Sequence, residues 1–221
     1  MSKLSFYTAS FPSEFNMLAD YFEKSTVKNN EYISISKKRI NYLEFKYHIN
    51  QIIIEEYYDT NNTKKYLEKL STKEITFRVY NRQKFNFVIV NQPKSILNLK
   101  NFLSKLFKFD FFLNKEVLNL VNSVDYWDSE IDYISKVEFR DGLYSNNIFS
   151  KNIFYTQNKN INSLESYTLL LKTNYYSVYK IDIFFKKYLN IKFIINNDSN
   201  FSFIGLDEDD VINFIFNNLL I

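Results

Sequence analysis

The chain has 221 residues, with 28 Lys and Arg against 25 Asp and Glu, a net charge of +3. This length holds one large domain or two small ones, and the mild basic excess permits a nucleic-acid or acidic-lipid partner without requiring one. With no Cys, 2 Gly and a single His, disulfides, thiol catalysis, Cys-ligated zinc, multi-histidine metal sites and glycine-rich phosphate loops are excluded.

In chain order, "KLSFYTA" reads as a strand and "FPSEFNMLADYFEK" as a helix from about Pro12 to Lys24. Pro12 suits a first helical turn, where its missing N–H costs nothing. In "INYLEFKYHI", Leu43, Phe45, Tyr47 and Ile49 alternate with Tyr42, Glu44, Lys46 and His48, the period of a strand with one face in a core. "QIIIEEYY" continues as a second strand, and "NTKKYLEKLS" is predicted to be a short helix. "EITFRVY" and "KFNFVIV" form a predicted hairpin, with Ile75, Phe77 and Val79 meeting Phe85, Phe87 and Ile89 across a turn at residues 81–83.

Pro93 opens the clearest helical pattern, with Ile96, Leu99, Leu103, Leu106 and Phe107 on one face. A second helix is predicted around residues 115–124. Strand text then resumes. Asp141-Gly142 is a hairpin signal, and "SYTLLLKTN", "SVYKIDIFFKK", "NIKFIINN" and "FSFIG" extend the sheet. The last helix is predicted over about 207–220, with Asp207 as N-cap and Glu208, Asp209 and Asp210 in its first turn. Carboxylates there meet unpaired N–H groups and the positive end of the helix dipole; four in one turn diverge, so the quartet reads as a cap rather than a metal site. The fold class is α+β, with mainly antiparallel strands in two strand-rich halves and amphipathic helices at about 12–24, 93–107, 115–124 and 207–220. The chain reads as a single compact domain over 1–221, or as two docked lobes at about 1–107 and 125–221.

The aromatic share is 19%, with 23 Phe and 18 Tyr. Alanine occurs only at 9 and 19, and arginine only at 39, 78, 82 and 140. AT-rich codons favour Phe, Tyr, Ile, Asn and Lys, so a very AT-rich genome explains these together: an organelle, an endosymbiont or parasite, or a bacterium and its phages. Most of the rings are then core packing, and any surplus belongs at an interface.

Few residues look like chemistry. His48 shares its strand face with Glu44 and Lys46, which makes these three the weak catalytic candidates. Glu44-Phe45-Lys46 resembles part of the metal-dependent restriction-type nuclease motif, in which the carboxylate binds metal and the lysine polarises water. That motif also needs an upstream Asp at an adjacent strand tip, where this chain has only Glu31, with Asp20 farther off in a predicted helix. No metal site and no cofactor are expected. Arg78, Lys84, Lys172, Lys180, Lys186 and Lys192 point away from the apolar faces and form the nucleic-acid-binding candidates. The competing reading is lysine placed on exposed strands to block aggregation.

The final helix is apolar nearly all round, so Phe214, Ile215, Leu219, Leu220 and Ile221 are the interface candidates, covered by the chain's own sheet or by a partner. These observations favour a non-catalytic structural or accessory subunit of a protein or ribonucleoprotein assembly. If the genome is organellar, a ribosomal or respiratory-complex subunit is the natural example. The alternatives are a nucleic-acid-binding protein of a bacterial or phage conflict system and, behind it, a metal-dependent nuclease. Expected partners are other protein subunits, with RNA or DNA as the further option. No nucleotide cofactor and no membrane span are expected, because no stretch approaches about 18 uninterrupted apolar residues. The N-terminus lacks a signal-peptide pattern, and the expected location is a reducing compartment, the mitochondrial matrix or a bacterial cytoplasm.

Overall fold

The computed structural model describes residues 1–23, 30–141, 150–155 and 176–220. Among these residues the chain is α+β, mostly antiparallel sheet with four short α-helices. It divides into two compact units, Tyr7–Asn114 and Met1–Phe6 with Lys115–Ile221. Strand β1 (Ser2–Ser10) contributes to both.

In the unit Tyr7–Asn114, the chain runs α1 (Phe15–Glu23), β2 (Glu31–Lys38), β3 (Tyr42–Tyr58), β4 (Lys64–Tyr80), β5 (Phe87–Val90), α2 (Leu97–Leu106) and β6 (Phe112–Asn114). The strand order is β2-β3-β4-β5-β1, and β6 pairs antiparallel with β1 at Thr8–Ser10. The alternation in β3 sets the layers. Leu43, Phe45 and Tyr47 are buried, and their β4 partners Val79, Phe77 and Ile75 are buried beside them. Helices α1 and α2 lay Leu18, Phe22, Leu99 and Leu103 on this apolar face. Rings pack at its centre: Phe77 stacks on Phe45 at 5.2 Å and on Phe87 at 4.9 Å, and Phe22 meets Phe45 at 4.4 Å. The β4–β5 hairpin pairs Phe77 with Ile89 and Val79 with Phe87. Phe85 falls in the turn, at φ 51.

One expectation is overturned in this unit. The stretch "NTKKYLEKLS" is not a helix but the start of β4, paired residue by residue with β3 from Tyr58↔Lys64 to Ile52↔Leu70. Lys, Leu and Glu favour helix only weakly, and a continuous ladder to the preceding strand outweighs that preference. Helix α2 also starts at Leu97, later than Pro93, and Ile96 O accepts the Lys100 N–H in its first turn.

The other unit runs from the first half of β1 through α3 (Leu120–Trp127), β7 (Ile131–Asp141), β8 (Ser150–Tyr155), β9 (Tyr176–Phe185), β10 (Lys192–Asn196), β11 (Asn200–Phe203) and α4 (Glu208–Phe214), with a π turn at Ile215–Leu219. Its strand order is β1-β11-β10-β9-β7-β8. Asn119 starts α3 by accepting Asn122 N–H at its side chain, so this helix begins after residue 115. Phe6, Phe185, Phe193, Phe201 and Trp127 are fully buried here. Phe185 meets Phe193 at 5.2 Å and Phe214 at 5.1 Å, and Phe6 meets Phe216 at 5.5 Å. Trp127 donates its indole N–H to Leu219 O at 3.0 Å, tying the end of the C-terminal helix to α3. The Asp141-Gly142 turn and the strand expected at 166–174 lie outside the described residues, apart from Asp141 itself at the end of β7. Among the described residues, no helix is long and apolar enough to cross a membrane.

Candidate functional site

The weak catalytic candidates all lie on the polar face of the β2–β3–β4 sheet, but strand pairing ties them to structural partners. Glu44 is opposite Arg78 across β3–β4 and receives its Nε–H at 2.7 Å. Both side chains are nearly inaccessible, at 6% and 4%, so this carboxylate does not sit on the solvated face that the alternation suggested. Tyr42 covers the guanidinium, with its ring centre 5.3 Å away. Burial alone would raise the Glu44 carboxyl; Arg78, a Ser36 hydrogen bond and Lys37 outweigh it and hold the group below its ordinary range.

Lys46 pairs with Glu74 at 2.9 Å. His48 stacks on Tyr32 at 4.5 Å, lies 3.0 Å through Nε2 from the Ser34 hydroxyl, and has Nδ1 3.7 Å from Glu74. Ser34, His48 and Glu74 thus stand on three neighbouring strands in the order of a hydrolase triad. The His–Glu separation is too long for the hydrogen bond that would orient the imidazole. Among the described residues, no three metal-ligating side chains cluster.

The nucleic-acid candidates also face acceptors. Arg78 is buried on Glu44. Lys180 lies 3.6 Å from Glu138 and Lys192 3.5 Å from Asp182. Lys186 donates to Ser129 O at 2.8 Å. Lys84 is exposed in the β4–β5 turn, and Lys172 is outside the described residues. Glu138, itself buried, also holds Lys136 at 2.6 Å, so this polar face alternates charge rather than accumulating cations.

For the C-terminal helix, the cover is the chain itself. Phe214, Ile215, Leu219 and Leu220 are buried, with Phe214 packed on Phe185 and Tyr188. Ile221 lies outside the described residues. The acidic quartet caps α4: Asp207 accepts from Asp209 N–H at 2.9 Å and Asp210 N–H at 3.1 Å. Asp210 is further held by Tyr188 Oη–H at 2.8 Å and Lys187 at 3.0 Å. Asp207→Ala is therefore expected to cost about 1 kcal/mol. Denaturation followed by the fluorescence of Trp127, the chain's one tryptophan, measures it.

One apolar and accessible surface among the described residues was missed by sequence reading. Strand β3 runs past its last β2 partner, Ile49, to Tyr58, and β4 runs from Lys64 to its first β5 partner, Thr76. Over this span, among the described residues, the two strands pair only with each other and form a ribbon. On its even-numbered face Ile52, Ile54, Tyr58, Tyr66 and Leu70 are 64%, 59%, 66%, 60% and 69% exposed. The other face carries only Ile53, Tyr57 and Leu67 among its eight paired positions from 51 to 57 and 65 to 71. Three ion pairs lie within the ribbon, Lys64 on Glu56 at 2.8 Å, Lys65 on Asp59 at 2.9 Å and Lys69 on Glu55 at 3.9 Å. Its tip is built by Asp59, which accepts Asn61 and Thr63 N–H groups at 2.9 Å each, with Asn62 at φ 58.

No protein-family model matches the chain, and no curated protein does either. Its chemistry is therefore read from the side chains alone. Among the described residues, the even-numbered face of the ribbon shows five large apolar side chains to solvent.

Proposed function

We propose that the chain is a non-catalytic structural or accessory subunit of a larger protein or ribonucleoprotein assembly. The observation that carries this reading is the exposed apolar face of the β3–β4 ribbon. Apolar patches of this kind mark contact sites in folded proteins. The neighbouring polar face supports the same reading, since Glu44, Lys46 and Glu74 are spent on ion pairs rather than held ready for a substrate. A reducing compartment, in an organelle or bacterium with an AT-rich genome, fits a chain without cysteine and rich in Phe, Tyr, Asn and Lys.

Mass spectrometry of what co-purifies with the native chain tests this. A stoichiometric companion polypeptide, or self-association of the chain, is the expected result. A chain that stays monomeric and brings down nothing removes the reading. Salt-dependent retention on heparin or RNA would instead favour the nucleic-acid alternative. Cleavage of plasmid DNA with Mg²⁺, abolished by Glu44→Gln in a variant that still folds, would favour the nuclease.

A further inference from the structure

We propose that Lys115 and Asn200 become joined by an isopeptide bond, which the folded chain forms on itself with Asp198 as the proton carrier. Both residues, and the groups that surround them, belong to the unit Met1–Phe6 with Lys115–Ile221. The inference stands apart from the subunit reading.

Asn200 opens β11 directly opposite Ser5 of β1, and both are buried. Ser5 donates its hydroxyl to Asn200 Oδ1 at 2.6 Å, and Lys115 Nζ reaches the same oxygen at 3.3 Å. Asp198, in the turn between β10 and β11, touches both reacting groups through one oxygen. Its Oδ2 accepts from Lys115 Nζ at 3.0 Å and from Asn200 Nδ2 at 2.7 Å. Its Oδ1 is buried and has no hydrogen-bond partner among the described residues. The segment that follows Lys115 is pinned to the same turn. Ser199 donates its hydroxyl to Glu116 O at 2.7 Å, and Leu118 N–H donates to Asn197 O at 2.6 Å. The amine is thereby held in place by backbone as well as by charge.

An ordinary surface ion pair needs only the lysine and the aspartate. Here an amine, a carboxylate and an amide lie within hydrogen-bond distance of one another, and a separate hydroxyl is aimed at the amide oxygen. Such placement makes the attack of the amine on the amide an intramolecular step. Asp198 takes a proton from the Lys115 ammonium and frees the lone pair. Nζ then bonds to Asn200 Cγ, and the negative charge that develops on Oδ1 is met by the Ser5 O–H. Asp198 hands its proton to Nδ2, and the Cγ–Nδ2 bond breaks as the carbonyl reforms. The second amine proton follows the same route, so the amide nitrogen leaves as ammonium and Asp198 is regenerated. Atoms and charge balance without a co-reactant. Lys115 and Asp198 are partly exposed, which gives the ammonium a way out. The reaction happens once per chain, so a slow rate suffices. Its product closes a loop between residues 85 apart, a covalent tie that a chain without cysteine cannot make as a disulfide.

The intact mass of the full chain, measured after denaturation, tests the bond. The wild type is expected to be lighter than its sequence by one ammonia, and proteolysis is expected to release two peptides joined through Lys115 and Asn200. Lys115→Arg keeps a cation beside Asp198 but supplies no amine nucleophile, and it is expected to show the full sequence mass. Asp198→Asn, which removes the proton carrier, is expected to do the same. Circular dichroism and Trp127 fluorescence show that each variant is folded. A wild type that keeps its full sequence mass after prolonged incubation in the folded state overturns the proposal, whether or not the variants fold. A loss of ammonia that persists in Lys115→Arg overturns it too, because an asparagine has then cyclised without the lysine. A loss that persists in folded Asp198→Asn overturns Asp198 as the proton carrier.

Discussion

Glu44→Ala is expected to lower the unfolding free energy by about 3–5 kcal/mol, because it takes away the carboxylate that faces the buried Arg78 guanidinium. The magnitude follows from where the pair sits. Arg78 is 4% exposed, and its Nε–H is 2.7 Å from the lost carboxylate, so water cannot take the place of the oxygen. Removing both charges together, as Glu44→Leu with Arg78→Met, is expected to cost much less than the single change, since neither ion is then left behind in the sheet. Urea denaturation of the wild type and the variants measures this. A single change costing under about 1 kcal/mol would show that the pair is solvated in solution.

The same pair sets a pH dependence. The Glu44 carboxyl is held below its ordinary value of 4.5 in the folded chain. Its contribution to stability is therefore present above that value and is lost as pH falls through the lower folded one. Glu44→Gln is expected to flatten this part of the acid limb of the stability curve. An unchanged acid limb in that variant would assign the effect to other carboxylates.

Phe77→Ala is expected to cost about 3–5 kcal/mol, the range for deleting a fully buried aromatic ring. Phe77 has no exposed surface and touches three other rings, Phe45, Phe87 and Phe22, so the cavity it leaves is lined by side chains that are themselves held in place. Phe112→Ala, removing a ring that is 62% exposed on β6, is expected to change stability by no more than about 0.5 kcal/mol. The contrast between the two, read from denaturation midpoints at unchanged slope, separates rings that fill the core from rings left at the surface. Equal effects would mean that the stacked cluster collapses around the loss.

Much of the local structure could be read from the residues. The alternation of Leu43, Phe45 and Tyr47 with polar neighbours fixed which side of β3 faces the core. Asp207 followed by three acidic residues marked the start of the last helix, and its side chain caps that helix through two N–H groups. These features depend on backbone period and on groups a few residues apart, so they are written in the order of the chain.

What the order of the chain does not contain is which segment meets which. Lys64–Leu70 has residues suited to a helix and becomes strand because β3 lies beside it. Glu44 and Arg78 are 34 residues apart, and only the β3–β4 register turns two charges on predicted polar faces into a buried pair. Phe214 and Leu219 looked like an interface until Phe185, Tyr188 and Trp127 covered them. The ribbon face was concealed for the same reason. Ile52, Tyr66 and Leu70 are ordinary apolar residues in the sequence, and are left exposed on one face because the neighbouring strands β2 and β5 stop short of them. Periodicity is a property of one segment, whereas burial is a property of two, and the second segment is supplied by the fold.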